Sequence, residues 1–308
     1  MSRTALVTGV AGFVGPHLVR ELVDAGWDVV GVDHDPGPPP AIADQLCGYV
    51  GTDLTAGLPL DQLPAGRSID AVVHLAGRST VGPSFAHPQD YLSANTAMTT
   101  AVGEALLAHV PGARWLVVST GALYDPTTPG ALGESAPLAC ASPYAVSKAA
   151  VEHQADYYAR RGLDVVVVRP FNHLGPGQRE GFLLTDLLAG LHRWQESGTP
   201  VTVGDLDTAR DYTDVRDVCR AYRLLIETPD LPHRLFNVCS GVATPGRAVL
   251  DALVAGLGLD EPELHVDPAR LRPTDPRTIT GSAERLRAAT GWTPRRSLAE
   301  TVRDAAEA

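Results

Sequence analysis

The stretch TALVTGVAGFVG, from Thr4 to Gly15, decides the fold that this sequence predicts. It begins as a short apolar run typical of a buried β-strand, turns at Gly9, and continues as a helical pattern to about Ala25. Gly9, Gly12 and Gly15 follow GxxGxxG spacing. Glycines at the end of a strand let the backbone approach a pyrophosphate, which sits at the N-terminus of the next helix. Glycine turns are common, but this strand–turn–helix context predicts a dinucleotide site.

Outward from this stretch, further buried strands alternate with helices. Nearly continuous apolar runs predict the strands, because parallel strands are covered on both faces. These runs are Asp28–Asp33, Asp70–Gly77, Arg114–Thr120 and Leu163–Pro170. Helical patterns between them include Pro88–His109 and Pro143–Arg161. The alternation predicts an α/β fold, a Rossmann-type doubly wound parallel sheet.

The rhythm changes after Pro170, where glycine, proline and long polar connections appear. Helices are predicted at about Gly181–Glu196, Val215–Glu227 and Arg247–Leu257, and the strand Arg234–Ser240 is predicted to rejoin the sheet. We therefore expect residues 1–170 to form the dinucleotide-binding domain, with the chain returning to it around 205–242. Residues 171–308 are expected to form mainly a smaller, substrate-binding lobe.

Bulk composition narrows the function classes. The chain has 308 residues and a net charge of −11, without a basic stripe, which argues against nucleic acid as a partner. No apolar run approaches the roughly 20 residues that cross a bilayer. The four cysteines form no CxxC pair and the ten histidines form no ligand spacing, so we expect free thiols, a cytoplasmic location and no metal.

Two acidic residues address the cofactor. Asp33 ends the second predicted strand, eighteen residues after Gly15, and His34 follows it. A carboxylate there can accept hydrogen bonds from ribose hydroxyls and repels a 2′-phosphate, which favours NAD over NADP. Asp53 is expected at the adenine amine. Either aspartate could instead merely stabilise a turn.

The stretch SPYAVSK places Tyr144 and Lys148 one helical turn apart. An ammonium group near a phenol favours the phenolate and lowers the pKa of the tyrosine. Such a tyrosine can give a proton to a carbonyl oxygen as hydride arrives at carbon. The pair follows the predicted strand that ends VVST, in a chain that begins with a dinucleotide loop, and this order favours a catalytic role.

The chain resembles the extended short-chain dehydrogenases/reductases, in their nucleotide-sugar-modifying branch. The resemblance spans essentially the whole length, through VTGVAGFVG, VVHLAG, VVST, SPYAVSK, RPFNHLGPGQ and FNVCSG. Within the branch, FNHLGPGQREGF, VGDLDTARDYTDVRDVCRAY and ARLRPTD are most similar to the GDP-4-keto-6-deoxy-D-mannose reductases, which make GDP-D-rhamnose.

The resemblance implies roles for individual residues. Tyr144 would be the proton donor, Lys148 would bind the nicotinamide ribose, and Thr120 would bind the sugar oxygen, with Ser119 as the alternative hydroxyl. Asn95 would be structural or part of a proton path. Cofactor contacts are implied at Gly9, Gly12, Phe13, Val14, Gly15, Asp33, Asp53, Leu54, Leu75, Ala76, Gly77, Tyr144 and Lys148. Substrate contacts are implied at Ser79, Thr120, Tyr144, Asn172, Arg179, Arg210 and Arg272.

Two departures from the family pattern bear on the reaction. The 4,6-dehydratases of this branch carry an acid just after the Ser/Thr position, where this chain has Gly121 and Ala122. Neither residue can move a proton, although Glu134 or Asp125 could substitute. In addition, the usual Asn-Val-x-Gly-Thr motif reads NTAMTT, and Asp125 replaces the expected glycine after Tyr124.

The resemblance implies NAD(P)-dependent reduction of the 4-keto group of a GDP-4-keto-6-deoxyhexose. A nucleotide-sugar 4-epimerase with tightly bound NAD is the alternative, and a 4,6-dehydratase or a non-catalytic cofactor-binding protein is less favoured. The family commonly dimerises through the helices that here correspond to Pro88–His109 and the Tyr144 helix. We therefore expect a homodimer that binds a nucleotide sugar, with a GDP-sugar favoured.

Overall fold

The computed structural model describes residues 2–62, 68–271 and 276–308 of the chain. The strands are β1 (Arg3–Thr8), β2 (Trp27–Asp33), β3 (Gly48–Gly51), β4 (Ala71–His74), β5 (Arg114–Val118), β6 (Asp164–Pro170), β7 (Asn172–Leu174), β8 (Val201–Val203), β9 (Ala209–Asp214), β10 (Leu235–Val238), β11 (Ala243–Pro245), β12 (Leu264–Val266) and β13 (Thr278–Ile279). The α-helices are α1 (Val14–Asp24), α2 (Val81–Ser84), α3 (Pro88–His109), α4 (Pro143–Arg160), α5 (Leu183–Ser197), α6 (Val215–Glu227), α7 (Gly246–Leu257), α8 (Glu284–Thr290) and α9 (Leu298–Ala306).

The largest sheet has seven strands in the order β10-β6-β5-β4-β1-β2-β3, with helices packed on both of its faces. Its neighbouring strands all run parallel. The chain builds outward from β1 in both directions, which is the Rossmann strand order, and the predicted doubly wound fold is confirmed. The crevice beside β1, where the direction of building reverses, is the usual place for a dinucleotide in such sheets.

Alternating residues of β1 pack on opposite faces of this sheet. Ala5 and Val7 belong to the apolar cluster that includes Leu18 of α1, while Leu6 belongs to the cluster that includes Leu106 of α3. All of these side chains are fully buried. Burying one leucine side chain stabilises a fold by roughly 1.5–3 kcal/mol, so the two layers of helices hold the strand ends firmly in place.

The C-terminal part adds smaller sheets. Strands β11, β9 and β13 form one sheet, to which β7 is joined through β9, and β8 pairs with β12. A third apolar cluster unites α5, α7 and α9 around residues such as Leu187 and Leu253. Strand β9 therefore lies outside the seven-stranded sheet. Strand β10 is an edge strand of that sheet and pairs with β6. The division of the chain into two domains at residue 170 stays a prediction.

The long elements match their sequence patterns closely. The predicted bounds of α3 and α6 agree with the structure, and α4 ends one residue before the predicted Arg161. The short strands β3, β7, β8, β11, β12 and β13 were not predicted, because two to four residues carry no usable periodicity. Within the described residues, no helix has both the length and the apolar character that crossing a membrane requires.

Candidate active site

The glycine-rich loop joins β1 to α1 with very little space around it. Gly9 has a φ of 72°, and a Cβ there would lie 2.6 Å from the Ala76 amide nitrogen. A Cβ on Gly15 would lie 2.1 Å from the Val10 carbonyl oxygen. Phe13, at the N-cap of α1, supplies no side-chain acceptor, and the first turn carries no acidic residue. The loop and helix terminus therefore fit an anionic pyrophosphate, which would accept from the free N–H groups.

Asp33 lies at the carboxyl end of β2, beside this loop. Its Oδ2 accepts a hydrogen bond from the Ala11 amide at 2.8 Å, and its Oδ1 accepts from the His34 amide, also at 2.8 Å. The side chain thus holds the loop in shape while Oδ2 keeps a lone pair for a ribose hydroxyl. The turn-stabilising and ribose-binding interpretations of Asp33 are compatible with each other.

His34 adds a contact that the sequence did not predict. Its Nδ1 lies 2.6 Å from Asp33 Oδ1, and its Nε2 lies 3.6 Å from Asp35 Oδ1. The three side chains could offer one ligand atom each to a metal ion. We assign no metal here, because the backbone and ring nitrogens of His34 already occupy Asp33 Oδ1, and the expected absence of a metal stays a prediction.

The predicted cofactor contacts Asp53 and Leu54 differ in their exposure. Asp53 is exposed, and its Oδ1 accepts from the Thr55 amide and hydroxyl at 2.9 and 2.8 Å, which stabilises a local turn. These bonds also lower the pKa of Asp53. Leu54, which follows it, is buried. An adenine contact of Asp53 stays a prediction.

The segment after β4 brings the cofactor loop and the helix α4 together. The Leu75 amide donates to the Thr8 carbonyl at 3.1 Å, so the segment runs alongside the start of the glycine loop. A Cβ on Gly77 would lie 3.4 Å from Lys148 Nζ and 3.3 Å from Asn95 Oδ1. The predicted cofactor residues Leu75, Ala76 and Gly77 are thus adjacent to the predicted catalytic lysine.

Tyr144 lies in the first turn of α4, whose N-terminus is capped by the Ser142 hydroxyl. Tyr144 is 7% exposed, and Thr120 is one of the groups that act on its phenol. Burial raises the pKa of Tyr144, whereas the Thr120 hydrogen bond acts to lower it. The sequence predicted that Lys148 lowers this pKa. In the protein without cofactor the pKa is raised instead, because desolvation of the phenolate dominates.

Lys148 is buried, and its Nζ donates to the Val118 carbonyl oxygen at 2.8 Å. Burial lowers the pKa of this amine to about 8, while the Glu152 carboxylate raises it. The chain contains 25 lysine and arginine residues, and Lys148 is the only lysine among them. Arginine cannot lose its proton in a protein, whereas the pKa of a lysine shifts on burial. Position 148 therefore carries a cationic side chain whose protonation can depend on its surroundings.

The structure separates the two adjacent hydroxyls at the end of β5. Ser119 donates through its Oγ to Glu152 Oε1 at 2.5 Å. Thr120 is 8% exposed and begins the short 3₁₀ helix Gly121–Leu123, where it accepts from the Ala122 amide. Thr120 is thus the hydroxyl that acts on the Tyr144 phenol, and its predicted role in binding the sugar oxygen stays a prediction.

Asn95 has the contacts of a structural residue. Its Oδ1 accepts from the Arg78 amide at 2.8 Å, and its Nδ2 donates to Ser147 Oγ at 2.9 Å. These bonds connect α3 both to the segment after β4 and to α4. Ser79, a predicted substrate contact, is exposed in the same segment.

The predicted substrate residues of the smaller lobe cluster only in part. Asn172 is exposed on β7 and pairs with Tyr212 of β9, two residues beyond Arg210. The Arg210 guanidinium donates through Nη1 to the carbonyls of Ala209 and Pro276 at 2.9 and 3.0 Å. Arg179 is exposed in the connection to α5. Arg272 lies outside the described residues.

Sequence reasoning missed three charged or titratable residues near the predicted catalytic pair. His74 on β4 is buried, and its Nδ1 lies 2.8 Å from Thr8 Oγ1. Glu152 and Arg169 form a partly buried ion pair in which Arg169 donates from two nitrogens. The signal for Glu152 was its position four residues after Lys148, on the same helical face.

Comparison with known proteins places this geometry in a family. The model of the NAD dependent epimerase/dehydratase family matches residues 5–239, which include the glycine loop and the Tyr144 helix. The chain belongs to that family. The membership confirms the predicted extended short-chain dehydrogenase/reductase relationship, and the chain is accordingly an NAD(P)-dependent nucleotide-sugar enzyme of this class.

Individual relatives cover the whole chain. The GDP-6-deoxy-D-mannose reductase of Pseudomonas aeruginosa is 33% identical, over 98% of this chain and 96% of that protein. The UDP-glucose 4-epimerase of Streptomyces lividans is 32% identical, over 100% of this chain and 96% of that protein. The solved structure of RMD from Pseudomonas aeruginosa complexed with NADPH has a TM-score of 0.81 at 30% identity, and covers 99% of this chain and 98% of that one.

Proposed function

We propose that this protein reduces the 4-keto group of a GDP-4-keto-6-deoxyhexose with NADH or NADPH and gives a GDP-rhamnose-type product. The observation that carries the proposal is the similarity to GDP-6-deoxy-D-mannose reductase, which extends over 98% of the chain and so includes the smaller lobe. Likeness restricted to the Rossmann part would indicate the cofactor alone.

The chemistry needs few groups. The nicotinamide, when bound, supplies a hydride to the carbonyl carbon, and Tyr144 gives its proton to the carbonyl oxygen. Thr120 would donate a hydrogen bond to that oxygen and hold it near the phenol. Lys148 would hold the nicotinamide ribose through its ammonium. The positive charges of that ammonium and of an oxidised nicotinamide would both favour the phenolate in the reverse direction.

Cofactor selection is proposed to depend on Asp33. Its carboxylate would accept ribose hydroxyls and repel a 2′-phosphate, which favours NAD. RMD, the relative of known structure, is complexed with NADPH, so both cofactors belong in the test. Gly9, Gly12, Phe13, Val14 and Gly15 would surround the pyrophosphate.

The substrate is proposed to lie between the larger sheet and the β7–β9 sheet. Asn172 and Arg210, on neighbouring strands of that small sheet, would meet the diphosphate, with Arg179, Ser79 and Arg272 as further contacts. A protein with a net charge of −11 needs local cations to bind a diphosphate, and arginine offers two parallel hydrogen bonds to it.

A dehydratase is less well supported. Gly121 and Ala122 cannot carry the proton that dehydration moves. Glu134 accepts from the Asn237 amide at 2.8 Å, and Asp125 accepts from the Thr127 amide and hydroxyl at 2.9 and 2.7 Å. Both acids thus have structural partners of their own.

The second candidate function is a nucleotide-sugar 4-epimerase with tightly bound NAD. The 32% identity to UDP-glucose 4-epimerase favours it almost as strongly as the 33% identity favours the reductase. An epimerase would use the same tyrosine, threonine and lysine, and differ in allowing the keto sugar to rotate before the hydride returns.

One experiment separates the two. Purified protein is supplied with GDP-4-keto-6-deoxymannose and either NADH or NADPH, and absorbance of the reduced nicotinamide is followed. The reductase predicts a loss of absorbance equal to the sugar consumed. Interconversion of UDP-glucose and UDP-galactose without added cofactor would support the epimerase, and inactivity in both assays would contradict both candidates. A cytoplasmic location and a homodimer complete the proposal.

A further inference from the structure

Lys148 and Glu152 lie one turn apart on α4, and their side chains reach consecutive residues of one strand end. Lys148 Nζ donates to the Val118 carbonyl at 2.8 Å, and Glu152 Oε1 accepts from Ser119 Oγ at 2.5 Å. The next residue is Thr120. The pair therefore fixes the strand end that carries the hydroxyl beside Tyr144.

The Glu152 carboxylate is held from its far side by Arg169 of β6. Arg169 Nε donates to Oε1 at 2.8 Å and Nη2 donates to Oε2 at 2.7 Å, with side-chain exposures of 5% for Arg169 and 16% for Glu152. The guanidinium also lies 4.8 Å from the Tyr124 ring centroid. The positive charge of Arg169 is thereby paired with the Glu152 carboxylate, and the two hydrogen bonds fix that carboxylate in one orientation.

Few titratable groups face the Lys148 amine. Tyr144 precedes it by one turn of α4, and His74 of β4 and Glu152 of α4 interact with it electrostatically. Arg169 is bonded to Glu152. Among the described residues in this group, Glu152 is the acidic one. A buried ammonium is stable only near a compensating negative charge, and Glu152 supplies that charge.

We propose that Glu152 is a positioning residue that acts through Lys148: its carboxylate keeps the lysine side chain cationic, and Arg169 and Ser119 hold that carboxylate in place. Burial lowers the pKa of Lys148 to about 8 even with Glu152 present. Without Glu152, the effect of burial would act on the amine uncompensated, and Lys148 would lose its proton at still lower pH. The catalytic consequence rests on the proposed function, whereas the electrostatic relation does not.

The electrostatic relation predicts opposite effects for the two partners. E152Q removes the negative charge and should lower the pKa of Lys148 by about one pH unit or more. R169Q leaves Glu152 to act on the lysine alone and should raise it. The double variant E152Q/R169Q removes both charges and should return the pKa towards the wild-type value. A purely structural role predicts no such alternation of sign.

Because Lys148 is the only lysine, the measurement is direct. Full-length protein labelled with ¹³C-lysine, without a lysine-containing tag, gives one side-chain set whose ε-carbon shift is followed against pH. The matched control is E21Q, which removes an acid bonded to Arg223 between α1 and α6. An unchanged pKa in E152Q, or an equal change in E21Q, would overturn the proposal.

The outcome for Glu152 is independent of the outcome for the reaction. Should E152Q fail to fold, an unchanged or lowered pKa in R169Q would overturn the proposal equally well. Alternating pKa changes in a protein that turns over no sugar nucleotide would leave this inference intact and contradict the proposed function. Turnover of the sugar nucleotide, together with an unchanged Lys148 pKa in the variants, would support the proposed function and contradict this inference.

Discussion

At the scale of single residues, strand alternation decides which hydroxyl faces the phenol. Ser119 and Thr120 follow β5, and Thr120 keeps an extended backbone, so these adjacent side chains point to opposite sides. Ser119 meets Glu152, and Thr120 lies near Tyr144. The sequence could propose both hydroxyls but could not choose on physical grounds, because the choice depends on which side of the strand end α4 packs.

Tyr144→Phe tests the proton donor directly. The substitution keeps the ring and removes the acid, so turnover should fall by about 10²–10⁴-fold, the usual contribution of a general acid. Affinity for the nicotinamide cofactor should change little. The measurement is kcat with the sugar nucleotide, accompanied by titration of cofactor fluorescence.

Tyr157→Phe is the matched control for this substitution. It removes the same hydroxyl from an exposed position on the same helix, where 51% of the residue is accessible. Its turnover should equal that of the wild type. Equal losses in the two variants would contradict a specific role for Tyr144.

His74 predicts a pH dependence of stability. Burial lowers its pKa to about 3 from an ordinary value of 6.5. Between these values the unfolded chain binds a proton that the folded chain does not, so stability falls as the pH drops from 6.5 towards 3. His74 contributes a slope of up to about 1.4 kcal/mol per pH unit in that range.

His74→Asn should remove this contribution, because asparagine can still hydrogen-bond Thr8 but does not titrate. Urea unfolding midpoints at pH 7 and pH 5 provide the measurement. The wild type should lose more stability than the variant between the two pH values. Parallel losses would show that His74 is protonated in the folded protein.

At the scale of elements, the glycine loop is the most demanding turn. Gly15→Ala would place a methyl group 2.1 Å from the Val10 carbonyl oxygen, a distance that forces α1 away from β1. We expect a loss of roughly 1–3 kcal/mol in stability from the overpacking and a loss of cofactor affinity of tenfold or more. Thermal unfolding and cofactor titration measure the two effects.

Gly256→Ala gives the comparison for Gly15→Ala. Gly256 lies in α7, where an added Cβ would meet nothing within 4 Å. Alanine is favoured over glycine inside a helix by about 1 kcal/mol, so this variant should be at least as stable as the wild type. Normal cofactor affinity in Gly15→Ala would contradict the close-approach argument.

Long elements were predictable from the sequence, and short ones were not. Helix α3 spans 22 residues and β6 spans seven, lengths over which a pattern is clear. Strand β9 escaped prediction because its ARDYTD sequence is polar and its partners β7, β11 and β13 are short pieces from distant parts of the chain. Their pairing is tertiary information that no local pattern contains.

At the scale of the whole molecule, the residues predicted to be catalytic lie on or next to long elements, whereas those predicted to bind substrate do not, and both sets of roles stay predictions. Thr120 follows β5, and Tyr144 and Lys148 lie on the 18-residue helix α4, so the order and spacing of their motifs could be read from the sequence. Asn172, Arg179 and Arg210 lie on short strands and a connection, and Arg272 lies outside the described residues. Which sugar nucleotide they bind depends on their joint geometry.

The expected homodimer leads to a testable prediction about the exposed surface formed by α3 and α4. Val146 and Tyr157 are 43% and 51% exposed on α4, which packs beside α3. Pairing of these two helices with a second copy would form a four-helix bundle and cover both side chains. Val146→Glu should place a charge in that interface and convert the dimer to a monomer, as measured by light scattering after gel filtration.

Val242→Glu is the control for the dimer test. Val242 is 61% exposed in the turn before β11 and belongs to neither α3 nor α4. The same change of apolar to acidic residue there should leave the mass unchanged. A monomeric wild type, or equal masses for both variants, would contradict this interface.

The buried position of the single lysine has a practical consequence for chemical labelling. Lys148 is 6% exposed, so acylating and cross-linking reagents directed at amines should meet only the α-amino group of the folded chain. A second acylated amine would then report that the centre of the molecule has opened. Routine surface coupling through lysine should likewise capture molecules that have already unfolded.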